Sequence, residues 1–180
     1  MLKLVIACAL FSICSYVGFE YGEGFNRRMM QLREILKSLI ILQNDILYGS
    51  TPLPEAFENF SYKVEEPIHS FINGIREKLV SGSVESVYDG VAEEYRELKG
   101  KFSLNDNDIK ILGDFFKSLG ESGVFGQERI FSLAIEGIRM NLKDAEDTAK
   151  KNVKLYRYLG VCVGGMITIF VLWFINIIYF

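Results

Sequence analysis

The sequence predicts an all-α membrane protein, a cytoplasmic helical bundle flanked by N- and C-terminal transmembrane helices. Three observations predict it: charge is confined to the middle of the 180 residues, both ends are apolar, and the apolar residues between them recur at helical spacing. All 23 acidic residues lie between Glu20 and Asp147, and 19 of the 20 basic residues lie between Arg27 and Arg157. That separation excludes an ordinary soluble domain. The expected organisation is a transmembrane helix over 2–22, a cytoplasmic helical domain over 23–157 and a second transmembrane helix over 158–180. The middle stretch is long enough for one compact domain with its own core.

The first apolar run, Leu4 to Phe19, is only 16 residues, about 24 Å as a helix, so a cleaved signal peptide competes with a short span. No A-x-A-like site ends the run, and Val5-Ile6-Ala7-Cys8 lies too near the initiator for a lipoprotein signal. With Lys3 snorkelling at one end and Tyr16, Glu20 and Tyr21 at the other, a retained helix over 2–22 spans with little mismatch. The last run, Tyr158 to Phe180, is 23 uncharged residues, about 34 Å as a helix, and clears a hydrocarbon core of about 30 Å. Tyr156, Tyr158, Trp173 and Tyr179 supply aromatic side chains for the headgroup belts, and Asn176 is the strongly polar interruption. Gly160 and Gly164, with Gly165 beside them, form a small face on which another membrane helix can pack closely.

Orientation follows from the bases beside the spans. Arg27, Arg28, Arg33 and Lys37 follow the first, and Lys143, Lys150, Lys151, Lys154 and Arg157 precede the second, against Lys3 alone outside. The positive-inside rule places the middle in the cytoplasm.

Within the middle, Asn26 can cap a helix in which Leu32, Ile35, Leu36, Leu39, Leu42, Ile46 and Leu47 form the apolar face and Gly49 is the stop. Thr51-Pro52 offers a cap and a first-turn proline for a short helix through about Phe60, and Pro67 opens another with Ile68, Phe71, Ile72, Ile75 and Leu79 inward. Ser83 is expected to begin a fourth helix with Val84, Val87, Val91 and Tyr95 on one face and Glu85, Glu93, Glu94 and Glu97 off it. Asn105 to Asp108 can cap a fifth, ending at Gly120. After the glycine-rich break from Gly120 to Gly126 there is no proline, so one helix can run into the last span. No alternating strand pattern is present.

The residue types for chemistry are sparse. Cys8, Cys14 and Cys162 all fall in the apolar ends, which leaves no disulfide framework and no zinc set, and His69 has no nucleophile near it in sequence. A phosphate-binding GxxxxGK[ST] is absent, and no cofactor or metal is expected. Glu65-Glu66 and Glu93-Glu94 read as solvated or helix-start acids, not a catalytic pair. From Ser38 to Leu142 there are 17 acids against 10 bases, so no nucleic-acid partner is expected. The bases beside the spans set topology and meet anionic lipid, and Arg28 and Arg33 are also candidates for a protein contact. Pro52, Leu53 and Pro54 fix an exposed corner beside them and complete the expected partner-binding set.

Several of these residues together resemble a known family, the stage III sporulation protein AB of endospore-forming bacteria. The resemblance rests on Arg28-x-x-Gln31-Leu32-Arg33, on Asp45-Ile46-x-Tyr48-Gly49-x-Thr51-Pro52-Leu53-Pro54-x-Ala56, on Leu119-Gly120-x-Ser122 with Gln127, and on Tyr156-x-x-Leu159-Gly160-x-x-x-Gly164. Gly123 departs from it, because the family usually has aspartate there. The resemblance implies a noncatalytic component of the mother-cell membrane complex that joins mother cell and forespore. That family in turn is similar to the helical platform proteins of type II secretion and type IV pilus machines. It implies as partners other membrane proteins of the sporulation complex and a cytoplasmic secretion-type ATPase, while the Gly160–Gly164 face could take the first span of the same chain or the last span of a second copy. A membrane-anchored signalling or chaperone-like adaptor is the alternative, and a membrane enzyme a third.

Overall fold

The computed structural model describes the backbone of residues 2–121 and 124–178, and the side chains of residues 8–119, 126–171 and 173. The described residues are helical, with no strand. Ser122 and Gly123 of the expected glycine-rich break lie outside them, as does Tyr179, and the side chain of Asn176 is likewise outside. The helices are α1 (Leu2–Gln43), α2 (Leu53–Ser61), α3 (Ile68–Ser81), α4 (Val87–Leu98), α5 (Asp106–Glu121) and α6 (Val124–Ile178). A π turn, Asn44–Tyr48, finishes α1, and a short 3-10 turn, Lys99–Lys101, follows α4. The chain divides into two compact units, Arg28–Asp144 and the pair Met1–Arg27 with Ala145–Phe180.

The Arg28–Asp144 unit is a helical bundle built on the apolar faces read from the sequence. Leu32, Ile35, Leu39 and Leu42 of α1, Phe57 and Phe60 of α2, and Phe71, Ile72 and Ile75 of α3 are buried, as are Phe115 and Phe116 of α5 and Phe131, Ile135 and Ile138 of α6. Phenylalanines run through this core edge to face: Phe60 to Phe57 at 5.8 Å, Phe57 to Phe116 at 6.5 Å, Phe116 to Phe115 at 4.9 Å and Phe115 to Phe131 at 5.0 Å between ring centroids. Such pairs add about 0.5–1.5 kcal/mol each to the burial of their area.

Helix starts differ from expectation where a local signal had a rival. Asn26 does not cap a helix, because α1 already runs from Leu2, and its amide donates to Glu23 Oε1 instead. Thr51 gives α2 no side-chain cap; Pro52 holds the N-cap position with Pro54 in the first turn. The start of α4 is Ser86, not Ser83: its hydroxyl accepts from the Asp89 amide at 3.1 Å. Pro67 and Asn105 do stand where α3 and α5 begin. Glu94, expected off the apolar face, is 7% exposed. Its carboxylate lies over Gly74 of α3, where a Cβ would collide with it, and Lys78 donates to it at 2.9 Å while reaching Glu97 at 2.7 Å. Those two hydrogen bonds, Glu97 first, raise the Lys78 pKa above its ordinary value.

In the other unit the apolar part of α1 packs on that of α6 through glycines. A Cβ on Gly18 would lie 2.6 Å from the Gly160 Cα, and one on Gly164 would lie 3.1 Å from the Cys14 Cβ. Tyr156 stacks between Tyr21, at 5.0 Å, and Phe25, at 5.6 Å. Arg157 donates to Glu23 at 3.3 Å and lies over the Phe19 ring at 4.1 Å.

Candidate functional site

The first-helix residues Arg28 and Gln31 reach across the bundle to the start of α5. Arg28 binds Asp108 as a fork, Nε to Oδ2 at 2.8 Å and Nη2 to Oδ1 at 3.1 Å, and its Nη1 stands 3.6 Å from Asp144. Asp108 is fully buried, and it also accepts from the Asn105 amide at 3.0 Å and from Asn141 Nδ2 at 2.7 Å. Asn105 Oδ1 returns a cap to the Asp108 amide at 2.9 Å, so the two residues close a reciprocal capping box. The hydrogen bond to Asp108 is the main cause that raises the Arg28 pKa, opposed by burial. Gln31, 7% exposed, donates to the Lys101 carbonyl at 2.9 Å and accepts from the Ser103 amide at 2.7 Å. Together the two side chains fix the loop between α4 and α5 and tie α1, α5 and α6 into one piece. What Arg28 leaves for a partner is therefore small, and of the two arginines Arg33 is the exposed one.

The corner between α1 and α2 has a different character. The π turn widens the end of α1, the Gly49 amide donates to the Asn44 carbonyl at 3.0 Å, and the Thr51 amide to the Asp45 carbonyl at 3.0 Å. A Cβ at position 49 would come 2.6 Å from the Asp45 oxygen, so only glycine fits, and Ser50 adopts a left-handed φ of 50°. Strained backbone of this kind persists where surrounding structure holds it, and it clusters at ligand clamps and switch regions. Tyr48 at this corner is 78% exposed and Pro52 is exposed, while Leu53 and Pro54 are half-buried and Ala56 is buried below them. Local sequence could place a joint here from its glycine and prolines, but not the π turn or the positive φ of a serine.

His69 is used inside the bundle. Its Nδ1 lies 2.7 Å from the Ser61 carbonyl, to which it can donate, and its Nε2 lies 3.1 Å from the Asn73 side-chain amide. Among the described residues no three His, Cys, Asp or Glu side chains converge as a metal site would require.

Fold and site define a class: a small helical bundle whose last helix continues into a segment long and apolar enough, by length and composition, to cross a membrane, with an exposed, conformationally fixed corner between its first two helices. The chain belongs to the stage III sporulation protein AB family, whose sequence model matches residues 3–172. It is similar to the stage III sporulation protein AB of Bacillus subtilis (strain 168), 26% identical over 164 residues that cover 91% of this chain and 95% of that protein. A solved structure of a stage III sporulation protein AB, SpoIIIAB, shares the fold with a TM-score of 0.64 at 23% identity, over 69% of this chain and 97% of that one.

Proposed function

We propose that this protein is a noncatalytic platform in the mother-cell membrane around the forespore, part of the channel-like complex needed for endospore formation. It stands between a cytoplasmic secretion-type ATPase and the other membrane proteins of that complex. In this reading residues 2–22 and 158–180 both span, and residues 23–157 face the mother-cell cytoplasm. The observation that carries it is the close approach of Gly18 to Gly160 and of Gly164 to Cys14. An N-terminal segment with a glycine-fitted seat on the C-terminal apolar helix has a structural use that a cleaved signal peptide would lose. In lipid such close packing, rather than a hydrophobic drive, is what holds two helices together. Gly160 and Gly164 then serve the pairing of the spans, and the Tyr48–Pro54 corner with Arg33 serves the cytoplasmic partner.

The test is accessibility. In a cysteine-free version, a cysteine replacing the exposed Ser83 is expected to resist a membrane-impermeant maleimide in intact mother cells and to react after permeabilisation. Labelling in intact cells would reverse the orientation and remove the ATPase from reach. The double change Tyr48→Ala with Arg33→Glu is expected to reduce recovery of a secretion-type ATPase with the full chain, at unchanged membrane level; unchanged recovery would move the docking surface elsewhere.

A further inference from the structure

Among the described residues, every acid that is not exposed has a polar partner, except one. Glu94 has Lys78, Asp108 has Arg28, Glu34 has Lys37 and Glu23 has Arg157, and Glu146 is also engaged. Acids whose side chains bond to nothing, such as Glu55 and Glu77, are exposed to water. Asp45 fits neither group. It is half-buried, its Oδ2 is shut off from solvent, and its carboxylate bonds to no described residue. The two other described side-chain atoms in that state are Ser15 Oγ, which carries no charge, and Arg157 Nε, whose guanidinium reaches Glu23 through Nη2.

The neighbouring sequence offers Asp45 no cation. From Ser38 to Tyr62 the chain has three acids, Asp45, Glu55 and Glu58, and no Lys or Arg, and Glu58 is already held by Arg76. A carboxylate kept partly out of water without a donor costs stability, and in a native fold such a group has a reason. Asp45 stands in the π turn that finishes α1, a type of turn frequent at functional sites. Tyr48, on the same turn, is 78% exposed. An acidic stretch of this kind repels anionic lipid headgroups and nucleic acid, and its complement is a basic side chain.

We infer that Asp45 receives an arginine or lysine of the protein that docks at the Tyr48–Pro54 corner, with the Tyr48 ring offered to the same cation. The inference rests on the docking role proposed above for that corner and names the chemistry of the partner there. On docking, the carboxylate turns its inner oxygen toward the cation and acquires the donor that the free chain does not supply. The charge that weakens the free fold thus strengthens the complex.

The experiment replaces the wild-type chain in sporulating cells by full-length Asp45→Asn or Asp45→Lys. Asp45→Asn keeps the shape and removes an unpaired charge, so the thermal midpoint of the purified protein in detergent should stay or rise. Both variants should lower the yield of heat-resistant spores by about tenfold or more at unchanged membrane level, Asp45→Lys the further of the two. Suppressors of Asp45→Lys, selected for restored sporulation, should change a Lys or Arg of another protein's cytoplasmic surface to Asp or Glu. Normal sporulation of Asp45→Lys, or a lowered midpoint for Asp45→Asn, would overturn the inference. So would suppressors confined to Arg33 or Lys37 of this chain, which would assign Asp45 to contact with a second copy. If Tyr48→Ala with Arg33→Glu leaves ATPase recovery unchanged, the docking role of the corner fails and takes this inference with it. If recovery falls in that pair while Asp45→Lys sporulates normally, the role of Asp45 fails alone.

Discussion

Replacing Arg28 by alanine tests how the bundle is held together. The change leaves the fully buried Asp108 carboxylate with two of its four donors, the Asn105 amide and Asn141 Nδ2, and removes the guanidinium bonded to it. Breaking a buried ion pair from one side costs about 3–5 kcal/mol, because the remaining charge stays desolvated. The Arg28 side chain is 15% exposed, so some water reaches the vacated space and the lower end of that range applies. For a unit of this size, about 3 kcal/mol corresponds to a fall of about 10–15 °C in the thermal midpoint. Asp108→Asn should cost less, since the guanidinium left behind can reach solvent and Asp144. The double variant Arg28→Met with Asp108→Asn should be less unstable than the sum of the singles, with a coupling of about 2 kcal/mol or more. Circular dichroism melts of the full chain in detergent measure all three. A fall of less than 3 °C for Arg28→Ala, or additive singles, would refute the view that this pair ties α1 to α5.

Gly74→Ala forces the Glu94 carboxylate off its seat on α3 and disturbs its bond to Lys78, an overpacking cost of about 1–3 kcal/mol that a denaturant titration would read; wild-type stability would show that Glu94 moves away freely. Burial, with Asp106 nearby, raises the Tyr95 pKa, so the folded chain keeps that phenol protonated where the unfolded chain has begun to ionise. The resulting stability is complete below about pH 10 and is lost as pH rises beyond it. Melts from pH 8 to 11 should therefore fall less steeply for Tyr95→Phe than for wild type, and parallel curves would contradict the assignment. Gly49→Ala, which brings a Cβ onto the Asp45 carbonyl, should lower the midpoint by several degrees and disturb the fixed corner; no change there would mean that the π turn relaxes without cost.

Much of the bundle was legible because its information is local. Apolar spacing marked α3, α5 and the inner part of α1, Pro67 and Asn105 marked two helix starts, and the lack of proline after Gln127 allowed the long α6. Where two local signals competed, the wrong one was readable: Ser83 and Ser86 both suit a cap, and only the aspartate three residues after Ser86 distinguishes them. Asn26 failed as a start because the apolar run before it is itself helical, so no break precedes it. The polar interior was not legible at all. Arg28 and Asp108 are 80 residues apart, Gln31 and Ser103 are 72 apart, and Glu94 is buried only because a glycine on another helix makes room for it. Such long-range pairs carry no periodic signature, so arginines that read as topology signals or docking residues turned out to include one that holds the core.

The central claim is that the two apolar ends form one retained pair of membrane helices. Cys14 and a cysteine at position 164 test it directly, because a Cβ at Gly164 lies 3.1 Å from that of Cys14, close to disulfide spacing. In Cys8→Ser, Cys162→Ser, Gly164→Cys protein, oxidation of native membranes with copper phenanthroline should yield an intramolecular disulfide, seen as a mobility shift reversed by reductant. Absence of that disulfide, together with a mature N-terminus beginning beyond Cys14, would contradict the account.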